Sequence, residues 1–146
     1  AMDNSTYYGR GPVENYSDRK DFANVGIYSQ TAEQQYFPYI RPQENGTKSD
    51  IRYWNQTDNN GFGLRINSNK LFSASALHYA INDLDDGAEK DQRHSPDIPK
   101  SKYTNLCIDG AQMGLGGTNS WGAWPLEKYR LHYQDREFNF SLSVVK

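Results

Sequence analysis

The sequence predicts an all-β, antiparallel fold with long loops, and three observations carry that expectation. Apolar and polar residues alternate with period two in four separate runs. Aromatic residues make up 14% of the chain, which supplies large buriable side chains to an otherwise polar sequence. Helix signals are few and short.

Taken in order, the first residues show no strand of their own ahead of Tyr8-Gly9-Arg10-Gly11-Pro12. Residues 31–35 offer one short helix. Trp54, within Arg52-Tyr53-Trp54-Asn55, reads as a strand residue facing the core. Phe62, Leu64 and Ile66 alternate with Gly63, Arg65 and Asn67, and Asn67-Ser68-Asn69 then reads as a turn. Residues 70–80 alternate again, with Leu71, Leu77 and Tyr79 on one face and Phe72, Ala74 and Ala76 on the other. Residues 80–90 hold a second helical turn or two, and residues 91–102, with Pro96 and Pro99, read as an exposed loop. Tyr129, Leu131 and Tyr133 predict a strand. Phe138, Phe140 and Leu142 predict another, with one dry and one wet face, and Gln134-Asp135-Arg136-Glu137 joins the two as a hairpin. Six or seven strands leave open sheet edges, which a second copy of the chain could cover, so a homo-oligomer is an expected partner.

Composition narrows the function classes. A chain of 146 residues fits one domain. A net charge of -2 with mixed signs argues against a nucleic-acid footprint or a polybasic membrane patch. No apolar run approaches the ~18 residues that a membrane helix needs. The single cysteine excludes an intramolecular disulfide, and its setting in Leu106-Cys107-Ile108 reads as a buried, inert thiol. That usage suits a bacterial cytoplasm and a periplasm equally. Ala1-Met2 reads as a cloning remnant ahead of a segment running from 3 to 146.

Several apparent sites lack the residues their chemistry needs. His78, His94 and His132 share no metal-ligand spacing, so no metal is expected on them. Residues 82–87 suggest a calcium loop, but Leu84 stands where an oxygen ligand is required. Gly114-Leu115-Gly116-Gly117 lacks the third glycine of a dinucleotide fingerprint and the Lys-Ser/Thr of a P-loop. These glycines suit a loop with positive φ and close backbone approach instead. The loop presents Asn119, Ser120 and Trp121, which are an amide, a hydroxyl and a flat apolar plane suited to the face of a pyranose. Trp121 and Trp124 suit the covered end of a sheet equally well. Glu14, Asp18 and Glu44 attract attention as acids, but no spacing pairs them as a hydrolase requires. Glu14 reads better as a structural partner of Arg10 or Arg19. No catalytic residue is expected within the chain.

Residues 8–19, Tyr-Gly-Arg-Gly-Pro-Val-Glu-Asn-Tyr-Ser-Asp-Arg, are similar to a signature of the C-terminal domain of family 2 β-galactosidases. Pro42-Gln43-Glu44-Asn45-Gly46, residues 72–79 and residues 109–122 continue the resemblance in the right order. It implies a large antiparallel β-sandwich related to galactose-mutarotase-like folds, of which this chain would be the C-terminal half. It implies a retaining galactosidase whose catalytic glutamates sit on a separate TIM barrel of the same polypeptide, with magnesium and sodium held there and no cofactor in this segment. A β-galactoside is the implied ligand, and Trp121, after its glycine loop, the implied contact, with Asn119 and Ser120 beside it. Gly114, Gly116 and Gly117 would shape the loop, and Arg10, Glu14 and Asn15 would form a structural motif. Thr118-Asn119 replaces the family's frequent Asp-Asp, which removes any acid role there. Two further readings stand beside it: an autonomous carbohydrate-binding module using Trp54, Trp121 and Trp124, and a structural or oligomerisation domain with Trp121 buried. A mutarotase has no identifiable His and Glu context.

Overall fold

Tyr7 and Trp54 sit directly opposite each other on adjacent antiparallel strands, β1 (Asn4–Gly11) and β3 (Lys48–Thr57). Their rings stack with centroids 4.8 Å apart and planes 9° apart, both fully buried. This pairing is the centre of the core. In the computed structural model, which describes residues 1–85, 87, 88 and 93–146, β2 (Asn24–Thr31) lies outside β1. On the other side, β4 (Gly63–Leu77) lies outside β3. The far edge of β4 is shared: β6 (Phe140–Val145) pairs with its first half and β5 (Asn105–Asp109) with its second. The described strands thus make one antiparallel six-stranded sheet, and the fold is all-β.

Register explains the core. Opposed residues of an antiparallel pair share a face, so Tyr28, Tyr7, Trp54, Ile66 and Leu142 form one row across five strands. Ile51, Phe72, Ala74 and Ala76 complete the cluster. Gly9 and Gly11, the motif glycines, lie on the same face as Tyr7. A Cβ at Gly9 would strike the Ile51 side chain and one at Gly11 the Tyr7 hydroxyl, so the motif keeps glycine to let the core close. A second cluster of Leu77, Tyr79, Leu84 and Ile98 covers the end of β4. Thr31 begins α1 (Ala32–Gln35) with a capping box: its hydroxyl accepts from Gln34 N at 3.2 Å, and Gln34 Oε1 accepts from Thr31 N at 2.9 Å.

Four expectations change. The chain enters its first strand at Asn4, ahead of Tyr8, and β1 runs on through the Tyr-Gly-Arg-Gly motif. Asn67-Ser68-Asn69 is not a turn, because β4 runs through it for 15 residues. The polar run marks an irregularity instead: Ile51 to Tyr53 on β3 spans Phe72 to Asn67 on β4, leaving extra β4 residues unpaired. Residues 129–133 form no strand. Glu127–Tyr129 is a 3-10 turn, and the free edge of β4 is already taken by β5 and β6, so alternation without a ladder partner produces none. The predicted hairpin to β6 therefore does not form. Finally, β6 has Phe140, Leu142 and Val144 on the core face, but all three stay exposed among the described residues. The helix expected over residues 80–90 is α2 (Ile81–Leu84); Asp86, Glu89 and Lys90, and Asp91 and Gln92 of the expected loop, lie outside the described residues.

Candidate functional site

The loop after β5 is built on Asp18. Its carboxylate accepts from two consecutive amides, Leu115 N at 3.0 Å and Gly116 N at 2.9 Å. Gly114 N donates to Tyr129 O at 2.8 Å, tying the two ends of the loop together. Gly114 shapes the loop by close approach and not by φ: a Cβ there would lie 2.6 Å from Asp18 Oδ2 and 2.9 Å from Tyr129 Cβ. Gly116 and Gly117 take φ of +71° and +76°, the left-handed region that favours glycine. Asn119 then turns the chain on itself, its Oδ1 accepting from Trp121 N at 2.9 Å. Sequence spacing marks the glycines of this loop but not the acid that clamps them. A signal for that acid exists, since Asp18 belongs to the same motif as Glu14.

Trp121 leaves this anchored loop with 92% of its surface exposed. Asn119 and Ser120 are exposed beside it. Trp124 is exposed too, with the Arg130 guanidinium 5.6 Å from its ring centroid. Arg130 is held in turn by Pro125 O at 2.7 Å and Glu127 at 2.9 Å. Trp54 is buried, so it contributes nothing to an aromatic surface. The arrangement offers a backbone pinned by Asp18, a bare indole, and an amide and a hydroxyl near it. The Cys107 thiol is pushed up by burial, which disfavours the reactive thiolate.

At the foot of the loop is a hollow of about 370 Å³ walled by Tyr16, Gln43, Glu44, Gln112, Met113 and Leu115. Burial raises the Glu44 carboxyl, and the charge of Asp109 adds to it. Asp109 is itself raised by burial, against a hydrogen bond from Gln112 at 3.0 Å. Sequence spacing gives no hint that Asp109 lies near enough to act on Glu44.

The motif residues hold the scaffold beneath. Arg10 Nε pairs with Asp50 Oδ2 at 2.7 Å, and its Nη1 donates to Ala23 O at 2.8 Å. Lys20 joins Asp50 at 2.8 Å. Burial would raise the Asp50 carboxyl, but the hydrogen bonds and charges of Lys20 and Arg10 prevail and hold it below its ordinary value. Asn15 is fully buried: its Nδ2 donates to Arg10 O and Val13 O, and its Oδ1 accepts from Ser49. Glu14 does not pair with Arg10. Its carboxylate accepts from Gly46 N at 2.8 Å, from the Tyr16 hydroxyl at 3.3 Å and from the Tyr39 hydroxyl. The reason is placement: Arg10 is on β1, beside the irregular start of β3 that carries Asp50, while Glu14 lies beyond the strand. His78 sits 3.5 Å from Asp3 and His132 2.7 Å from Glu127, and His94 is exposed. Among the described residues, no three His, Cys, Asp or Glu stand together as a metal site.

Residues 1–143 match the family described as the β-galactosidase small chain. The chain is 37% identical over 131 residues to the β-galactosidase BgaC of Bifidobacterium adolescentis, covering 88% of this chain and 12% of that protein. It is 36% identical over 144 residues to the β-galactosidase of Priestia megaterium, covering 99% of this chain and 13% of the relative. The β-galactosidase of Streptococcus thermophilus is 33% identical over 133 residues, covering 90% and 12% respectively. The chain thus spans about an eighth of the length of the relatives it matches.

Proposed function

Because the chain belongs to the β-galactosidase small-chain family, we propose that it is the accessory segment of a retaining family 2 β-galactosidase, acting on terminal β-D-galactosides such as lactose. Trp121 supplies an aromatic platform to the sugar pocket, and Asn119 and Ser120 orient the ring's hydroxyls. The acid/base and nucleophilic carboxylates, and the magnesium and sodium of the family, belong to a TIM barrel elsewhere in the same polypeptide. The observation that carries this reading is Trp121 itself, 92% exposed on a loop whose backbone is pinned by Asp18. An exposed indole is costly to leave in water and useful against the apolar face of a sugar.

The test has two parts. In the full polypeptide, Trp121→Ala raises KM or lowers kcat/KM for a nitrophenyl β-galactoside without lowering the melting temperature. Unchanged kinetics would remove Trp121 from the site. The chain alone shows no turnover of that substrate, and hydrolysis abolished by mutating its own acids would overturn the assignment of catalysis elsewhere. A second reading, an autonomous carbohydrate-binding module, draws on the joint exposure of Trp121 and Trp124. Burial of Trp54 weakens it, and calorimetry of the isolated chain with millimolar lactose separates the two.

A further inference from the structure

A cavity of about 460 Å³ opens between the segment after β1 and the residues around α1, apart from the Trp121 loop. Its lining includes Lys48 and Gln35, which are 1% and 5% exposed. Lys48 Nζ donates to Gly46 O at 2.7 Å and has protons to spare. Burial lowers its ammonium to about 8, against the opposing charge of Glu14.

The Gln35 amide is fixed in orientation by a chain of hydrogen bonds. Trp54 Nε1 donates to Gln56 Oε1 at 2.9 Å, and Gln56 Nε2 donates to Met2 O at 2.7 Å, which settles the Gln56 amide. Ser5 Oγ, 2.8 Å from Gln56 Oε1, must then donate to it. Its remaining capacity is to accept, so the Gln35 arm 2.9 Å away is Nε2. Gln35 Oε1 is left buried with no partner. A buried acceptor without a donor is costly, and a lining side chain holds it there.

Charge decides the kind of ligand. Glu14 faces the cavity with its oxygens already taken by Gly46, Tyr16 and Tyr39. Lys48 and Arg19 line the same space, so the lining carries one positive charge more than negative. Phe22 and Phe37 add apolar walls, each more than half exposed. We propose that this cavity binds a small hydroxycarboxylate of the sugar-acid type. Lys48 and Arg19 take its carboxylate, a hydroxyl donates to Gln35 Oε1, and the aromatic walls cover its carbon chain.

The experiment is a calorimetric titration of this chain with D-gluconate, with D-glucitol, which keeps the hydroxyls and lacks the carboxylate, and with hexanoate, which does the reverse. Gluconate binds at least about tenfold more tightly than either at pH 7, because it alone satisfies both ends of the site. That preference declines between pH 7 and 9.5 as Lys48 loses its proton, and Phe37→Ala weakens gluconate severalfold while the melting temperature holds. Lys48→Met abolishes the preference for gluconate over glucitol. Should that variant fail to fold, the wild-type pH series and Phe37→Ala carry the test. No heat with gluconate, equal affinity for glucitol, or an affinity flat with pH would each overturn the proposal.

Discussion

Trp54 is fully buried, stacked on Tyr7 and hydrogen-bonded through its indole N–H to Gln56, whereas Trp121 is 92% exposed and is fixed through its backbone. In the sheet the side chain makes the structure, since register places the indole against a ring and removing it would leave a void. In the loop the structure presents the side chain, since Asp18 and two positive-φ glycines set the backbone without any help from the indole. The same residue type therefore has opposite costs of removal at the two sites.

Substitution at the two ends of this contrast sets its widest span. Trp54→Ala lowers the unfolding free energy by about 3–5 kcal/mol in urea denaturation, through lost burial and the cavity it leaves. A loss under about 1 kcal/mol would mean that the Tyr7–Trp54 stack is not the keystone of the sheet.

The next effect comes from Lys48, buried near the scaffold. Its ammonium is lowered by burial to about 8, so between there and its ordinary range the unfolded chain binds more protons than the folded one. Stability attributable to this group therefore rises with pH across that window, by about 2 kcal/mol from pH 8 to 10. Above pH 10 the trend reverses, because burial raises Tyr39 to about 12 and the unfolded tyrosines ionise first. Thermal melts of wild type and Lys48→Met from pH 7 to 10 should show the slope in the first and its absence in the second. Equal slopes would assign it to another group.

Asp18→Ala sharpens the comparison from the loop side. Two charge-assisted bonds to Leu115 and Gly116 are lost, about 2 kcal/mol of local stability. Hydrogen exchange at those two amides should accelerate by more than about tenfold while the amides of β1 and β3 keep their protection. Acceleration spread evenly over the sheet would show that loop and scaffold are one cooperative unit. The smallest effect is that of Trp121→Ala on folding, within about 0.5 kcal/mol of wild type.

Much of the sheet is legible in the sequence because alternation reports burial directly. The core trio Phe72, Ala74 and Ala76 falls where a period of two puts it, and Trp54 faces the core as its setting in Arg52-Tyr53-Trp54-Asn55 suggests. The departures at residues 67–69 and 129–133 share one cause: alternation and turn chemistry are local, while the irregular pairing of β3 with β4 and the occupied edge of β4 are not. In the loop, the glycine spacing discloses positive φ at Gly116 and Gly117. Glu14 hydrogen-bonds within the fold, but its partners are not the expected arginines. The tyrosine and backbone donors that surround it come from 2, 25 and 32 residues away. Lys48 and Gln35 are invisible in the sequence, because a lysine or glutamine announces its burial only once the fold encloses it.

The clamp at Asp18 joins residues 97 and 98 positions apart, and its grip ends at Gly116. From Gly117 the chain projects outward until Ala123 and the buried Pro125 bring it back against Gly116. Such an arrangement behaves as a cassette: residues 118–124 can be exchanged, lengthened or diversified while the two amides and the acid that grips them stay untouched. The chemistry offered at the tip is thus free to vary on a fixed mount.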